Sequence, residues 1–338
     1  MDKIIEVQEL TKIFQGGLKA VNEITFSVRQ GEIFGFLGPN GAGKSTTIAM
    51  LTTLLKPTKG EATVTGIDIS KHPYQVRLSI GYVSQDIAVD DALTGYENLR
   101  LQAGFYHIPS GEIRNRIEEV LQMVELVNRA KDKVETYSGG MRKRLDIACG
   151  LIHRPKLLFL DEPTLGLDIQ TRREIWKYIN HLREETNMTI FLTTHYMDEA
   201  DALCDRIAII DKGTINVLDT PTALKNSLGN EIVSFSFSKG QQNDIKDALN
   251  KIKKLDFVKS INNKNGMSYM ASVTNGEASI PPIIESLQGC SAKIGSISFK
   301  QPSLDDVFLH YTGHEMREDG GGKENAMRSR ITMRRMRR

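Results

Sequence analysis

Short apolar runs punctuate the first two thirds of the chain, at Ile33–Leu37, Ile80–Val83, Leu157–Leu160, Thr189–Leu192 and Arg206–Asp211. Each has the length of a strand rather than of a helix. Hydrophobicity within them is nearly continuous, as expected of strands covered on both faces. Helical stretches separate them, and the alternation predicts an α/β domain to about residue 225.

The pattern changes near Asn230. Ile232–Ser238 alternates, with Val233, Phe235 and Phe237 on one face, and Ile245, Leu249 and Ile252 follow at helical spacing. Further strands are expected at Phe257–Ile261, Tyr269–Val273 and Lys293–Phe299, with a helix around Pro282–Gln288 before the last. That order, β-α-β-β-α-β, is the ferredoxin-like α+β pattern. A final helix should start after Ser303, its N-cap, which follows Pro302. The expected division is a domain over 1–225, an accessory domain over 226–316 and a disordered basic tail over 317–338. No internal repeat is present, so the chain carries one copy of its chemistry.

Two segments carry that chemistry. Gly38-Pro39-Asn40-Gly41-Ala42-Gly43-Lys44-Ser45 fits G-x-x-x-x-G-K-[ST] and follows the strand that ends at Leu37. Its glycines let backbone N–H groups close around phosphate oxygens, and the helix starting near Gly43 adds its positive end. Lys44 is placed for the β- and γ-phosphates, Ser45 for Mg²⁺ and Thr46 for the α-phosphate. Leu157-Leu158-Phe159-Leu160-Asp161-Glu162 is a buried strand ending in two carboxylates beside the phosphate loop, where open α/β sheets bind ligands. Asp161 suits Mg²⁺, and Glu162 suits the general base that polarises an attacking water. ATP and Mg²⁺ are the expected substrate and cofactor.

Tyr137-Ser138-Gly139-Gly140-Met141 resembles the LSGGQ signature of the ABC ATPase family, lying just upstream of the Asp-Glu strand as it does there. Tyr137 replaces Leu and Met141 replaces Gln. Ser138 with the Gly139 and Gly140 amides at a helix N-terminus makes an anion site, which in the family faces the γ-phosphate held by the opposite subunit. The resemblance extends to other positions. It implies that Phe14 stacks on adenine, the alternative being a core residue. It also implies that Gln85 is the Q-loop glutamine reaching Mg²⁺ and the water, Asp168 the D-loop aspartate at the dimer interface, and His195 the switch histidine at the γ-phosphate. It covers about residues 1–225 and implies a P-loop NTPase cassette with a RecA-like core and a helical subdomain near 88–150.

Gly38 and Ser138 are too close in sequence for the long coiled coil of chromosome and DNA-repair ATPases. A single cassette disfavours tandem translation factors. The accessory domain and its ending Ser303-Leu304-Asp305-Asp306-Val307-Phe308 resemble the ATP-binding subunits of drug exporters of the daunorubicin-resistance type. That resemblance implies a homodimer, or a heterodimer with a second ABC ATPase, beneath separately encoded transmembrane permease subunits. Thr94–Leu99 is the expected docking stretch, the alternative being an amphipathic helix that completes the helical subdomain. The alternative is a soluble ABC-type regulatory ATPase without membrane subunits.

Composition agrees with this. Net charge is +2, too small to argue for nucleic acid, and the three cysteines, Cys149, Cys204 and Cys290, form no CxxC pair. Mean hydropathy is −0.30 and no apolar run approaches the span of a bilayer. The start, MDKIIEVQEL, lacks a signal-peptide layout. A cytoplasmic protein, peripheral on the membrane's inner face through its partner, is expected. The last sixteen residues hold seven Lys/Arg and read as a solvated, disordered tail, the alternative being attraction to anionic lipid headgroups.

Overall fold

A computed structural model describes residues 2–227, 231–239, 242–265, 267–288, 290–300 and 302–313. The expected basic tail, 317–338, lies outside the described residues.

The five strands expected in the first two thirds of the chain lie in one sheet. It contains β3 (Ile33–Leu37), β6 (Ile80–Val83), β7 (Leu157–Asp161), β8 (Thr189–Thr194), β9 (Arg206–Asp211) and β10 (Thr214–Asp219) in the order β10-β9-β3-β8-β7-β6. Pairing is parallel from β9 to β6, with β10 antiparallel on the edge. Every residue of β3, β7 and β8 is buried, which is why these strands read as unbroken apolar runs. β3 sits between β9 and β8, so the loop that leaves it opens at the centre of the sheet's C-terminal edge.

A second sheet, absent from the reading of the sequence, covers one face. β1 (Lys3–Ile13), β2 (Lys19–Arg29), β4 (Lys59–Val64) and β5 (Ile67–Asp68) pair antiparallel in the order β2-β1-β4-β5. The register shifts repeatedly between β1 and β2, and Glu9 and Glu23 take positive φ. These irregularities break the period-two pattern by which such strands are recognised. Phe26 of β2 packs against Phe34, Phe36 and Phe191 of the central sheet with ring centroids 5.6–6.2 Å apart. Between the sheets lie α1 (Lys44–Leu51) and, at the rim, α2 (Pro73–Ser79).

On the other face lie α3 (Gly95–Phe105), α4 (Ser110–Met123), α5 (Gly139–Leu151), α6 (Ile169–Thr186) and α7 (Met197–Leu203), packed on a shared apolar core. α3, α4 and α5 all lie between residues 95 and 151.

The remaining elements are α8 (Pro221–Ser227), β11 (Glu231–Lys239), α9 (Gln242–Lys253), β12 (Val258–Asn265), β13 (Ser268–Val273), α10 (Gly276–Ser286), β14 (Lys293–Lys300) and α11 (Leu304–Thr312). From β11 to β14 they follow the ferredoxin-like order, and the antiparallel sheet β12-β13-β11-β14 has that topology. α10 begins earlier than Pro282 because the Asn275 side chain caps it, accepting from Ala278 N at 3.0 Å, and Pro281 and Pro282 sit inside the helix.

Ser303 caps α11 in a reciprocal capping box with Asp306. This helix leaves the accessory sheet and returns to the first domain. Leu304, Val307 and Phe308 enter the same core as α5, α6 and α7, and Asn216 Nδ2 of β10 donates to Tyr311 O at 3.3 Å. Phe308→Ala should therefore destabilise the first domain by about 3–5 kcal/mol. Denaturant unfolding followed at Trp176 in α6 checks this, and a loss below about 1 kcal/mol contradicts it.

Candidate functional site

The loop from Gly38 to Gly43 is shaped by packing that only glycine allows. A Cβ on Gly38 would lie 2.3 Å from Ile210 O, and one on Gly43, at φ +109°, 2.5 Å from Ala20 O. The loop is thus pressed against β9 and the start of β2, and turns into α1 with Gly43 as N-cap. Pro39, Asn40, Gly41 and Ala42 form the turn, closed by Ala42 N donating to Pro39 O at 3.1 Å. Ser45 is exposed and Thr46 half-buried at the mouth, on the first turn of the helix.

Lys44 is 4% exposed. Its ammonium donates to Gly38 O at 2.7 Å and Pro39 O at 3.2 Å and lies 3.1 Å from Glu162 Oε1. The other oxygen of Glu162 is 3.2 Å from His195 Nδ1, off the line of a hydrogen bond. Lys44 opens α1 after the loop that leaves β3, while Glu162 and His195 directly follow β7 and β8, and β3, β8 and β7 are adjacent parallel strands. Glu162 sits at φ +47°, a strained value for a non-glycine residue. Its amide donates to Thr193 O and to Thr193 Oγ1, both at 3.1 Å, which fixes this turn.

Asp161 Oδ1 accepts from Thr193 Oγ1 at 2.5 Å and Ser45 Oγ at 3.3 Å. Burial pushes the Asp161 carboxyl up, with the Thr193 hydroxyl pulling the other way. Burial also acts to raise Glu162, but His195 and then Lys44 outweigh it and hold that carboxyl below its ordinary 4.5. One carboxylate next to a hydroxyl, both at the mouth of the loop, is an oxygen donor set that fits a hard cation such as Mg²⁺. Beside it the buried ammonium and the glycine cradle fit a polyphosphate.

Ser138 caps α5, accepting from Met141 N at 3.3 Å, and Gly139 and Gly140 form the first turn at the surface. A Cβ on Gly140 would lie 2.7 Å from Thr171 Cγ2, and one on Gly139 3.4 Å from Leu167 Cδ2. Tyr137 is buried, its hydroxyl donating to Arg129 O at 2.6 Å beneath Gly95, and Met141 packs on the helical core. Both departures from the LSGGQ pattern thus face inward. Among the described residues no hydrogen bond or ion pair joins Ser138, Gly139 or Gly140 to Lys44, Glu162 or His195.

Asp168 is the N-cap of α6, accepting from Gln170 N and Thr171 N at 3.0 Å each and from Thr171 Oγ1 at 2.6 Å. Gln85 is exposed just beyond β6, next to β7 and hence on the edge that carries Asp161. Phe14 is half-buried in the turn after β1, with Lys12 Nζ 5.5 Å from its ring centroid, and belongs to neither core of this domain. Of Thr94–Leu99, Asn98 and Leu99 are buried and Thr94 and Glu97 form a capping box, while Leu101 and Phe105 of the same helix are exposed.

Residues 21–165 match the family model for the ABC transporter, and residues 220–312 match the model for the ATP-binding protein DrrA1-3-like C-terminal domain. The linearmycin resistance ATP-binding protein LnrL of Bacillus subtilis is 37% identical over 93% of this chain and 100% of that protein. The chain belongs to the ABC transporter ATP-binding family. The doxorubicin resistance ATP-binding protein DrrA of Mycobacterium tuberculosis is 36% identical over 92% of this chain and 94% of its own. Among solved structures, the cassette resembles cbiO1 of Clostridium perfringens, part of the transporter complex cbiONQ (30% identity, TM-score 0.63, 66% of this chain, 91% of that one). It also resembles the dimeric ATP-binding cassette MJ0796 in a post-hydrolysis state bound to ADP and Pi (29% identity, TM-score 0.58, 64% and 98%). This ABC cassette is therefore an ATP-binding ATPase, and no helix among its described residues is long and apolar enough to cross a membrane.

Thr193, Thr164, Trp176 and Glu199 also surround this site, and no local pattern marks them for it. Glu199 is fully buried and accepts from Thr164 Oγ1 at 2.8 Å and Trp176 Nε1 at 2.9 Å, tying α7 to the segment after Glu162. Burial pushes its carboxyl up, against the Thr194, Thr164 and Trp176 hydrogen bonds.

Because the folded value of Glu162 is depressed, its contribution to stability is present above the unfolded value near 4.5 and lost as pH falls through the lower folded value. Glu162→Gln should shrink the drop in Tm between about pH 5 and pH 3 relative to wild type. Thermal unfolding across that range checks it; an unchanged acid limb contradicts it.

Proposed function

We propose that this chain is the ATP-hydrolysing motor of a drug-type exporter, working as two copies on the cytoplasmic face beneath separately encoded permease subunits. The observation that carries the reading is the cluster of buried Lys44 and Glu162 with half-buried His195, with oxygens for a cation beside it. The resistance functions of the curated relatives favour an exporter over a soluble regulatory ATPase.

The roles follow from chemistry. Backbone N–H groups of the 38–43 loop and the N-terminus of α1 hold the phosphates, Thr46 the α-phosphate, and the Phe14 ring offers adenine a face. Phosphate oxygens compete with Glu162 for the Lys44 ammonium. Once they take it, the carboxylate is free to receive a proton. Glu162, kept ionised by its surroundings, accepts the proton of a water whose oxygen bonds to the γ-phosphorus as the bond to the bridging oxygen breaks. His195 contacts the γ-phosphate. Ser45, Asp161 and Gln85 would hold Mg²⁺, which supplies charge neutralisation on the phosphates.

Ser138, Gly139 and Gly140 point their anion site outward, so the γ-phosphate they meet belongs to the second copy, with Asp168 at the seam. ATP then favours the closed pair, and loss of the γ-phosphate reopens it. Exposed Leu101 and Phe105, beside the expected stretch, offer the permease its apolar footing. The chain divides near residue 225, with α11 crossing back as a strap.

Glu162→Gln should bind ATP yet turn over roughly 10²–10⁴-fold more slowly, accumulating a nucleotide-bound dimer. Phosphate release and size-exclusion chromatography read both effects; hydrolysis at the wild-type rate would remove Glu162 from the base role. Phe14→Ala should weaken ATP binding by about 1–2 kcal/mol without changing turnover at saturation. Equilibrium nucleotide binding measures this, and unchanged affinity returns Phe14 to a merely structural place.

A further inference from the structure

One buried ion pair has no place in the chemistry above. Lys143 and Asp146 are 3% and 4% exposed and lie on consecutive turns of α5, the helix that begins at Ser138. Lys143 Nζ is 3.5 Å from Asp146 Oδ2 and donates to Ser84 O at 2.9 Å. Asp146 Oδ1 accepts from Ala88 N at 3.3 Å. The two ends of the pair thus grip the backbone on either side of Gln85, one residue before it and three after.

The rest of α5 is locked to the strand that feeds this loop. A Cβ on Gly81 in β6 would lie 2.3 Å from Gly150 O in α5, so helix and strand touch backbone to backbone. Contact is therefore fixed at the far end of the helix by packing and near its start by charge. A buried pair of this kind adds little net stability over apolar side chains of similar size, because both charges are removed from water. Burial moves each toward its neutral form, Lys143 down and Asp146 up. Fixing a position is what the pair does that apolar groups would not.

We propose that Lys143 and Asp146 are positioning residues that bind the Gln85 loop to the Ser138 helix, so that α5, β6 and Gln85 move as one body. Engagement of Ser138 by nucleotide on the other copy is then delivered to Gln85 at its own chain's site. This rests on the roles given to Ser138 and Gln85 above. By linkage, the state of the Gln85 loop acts back on the Ser138 end to the same degree.

The test is a cycle in kcat on the full-length chain with Mg-ATP, using Lys143→Met/Asp146→Leu, Gln85→Ala and their combination. The apolar pair should keep Tm close to wild type while lowering kcat roughly 10- to 100-fold, with KM for ATP little changed. In the Gln85→Ala background the same substitutions should have almost no further effect, because the group they position is gone. Lys143→Arg, which keeps the charge and the donor to Ser84 O, should recover most of the rate. Equal losses in both backgrounds overturn the proposal, as does a loss of rate that simply follows a loss of Tm. A Gln85→Ala chain as fast as wild type instead removes the role of Gln85 itself, and this inference with it.

Discussion

A lysine ammonium enclosed by protein is tolerable only if every neighbour compensates it, and Lys44 is the point on which the site depends. Two loop carbonyls and the Glu162 carboxylate surround it. The same carboxylate answers to His195, and its neighbour Asp161 to Ser45 and Thr193. The result is a small cluster of opposed charges, buried at Lys44, Asp161 and Glu162, in which moving one partner frees another. On the proposed roles, a phosphate that takes Lys44 would release the base, coupling substrate binding to activation of the base.

The scaffold makes that cluster possible by close backbone approach. Gly38 against the Ile210 carbonyl places the loop, and Gly81 against the Gly150 carbonyl seats α5 on the sheet. Phenylalanines fill the gap between the two sheets beneath. On the opposite face, helix α11 packs Phe308 into the core shared by α5, α6 and α7.

Much of this was legible in the sequence where a residue's chemistry and its local pattern coincide. The central strands showed as continuous apolar runs because neither face meets water, and the accessory domain showed by alternation. The glycine loop, the Asp-Glu strand end and the Ser-Gly-Gly turn each carried a motif. What stayed hidden was set by tertiary contact. β1 and β2 are irregular, so their periodicity was lost. Thr193 and Glu199 act through neighbours distant in sequence, and nothing local distinguishes Thr193 from any strand threonine. Asn98 and Leu99 looked available for a partner, yet the capped start of α3 turns them into the core and leaves Leu101 and Phe105 outside.

On the proposed function each catalytic site is shared between two copies, the glycine loop of one meeting the Ser138 turn of the other. Subunit mixing tests it most directly. Lys44→Ala and Ser138→Arg chains, each idle alone, are combined and assayed for Mg-ATP hydrolysis. A mixed pair holds one site with an intact Lys44 and an intact Ser138, so activity should return on mixing. Folded, mutually associating variants that remain idle together would rule out a site shared between copies.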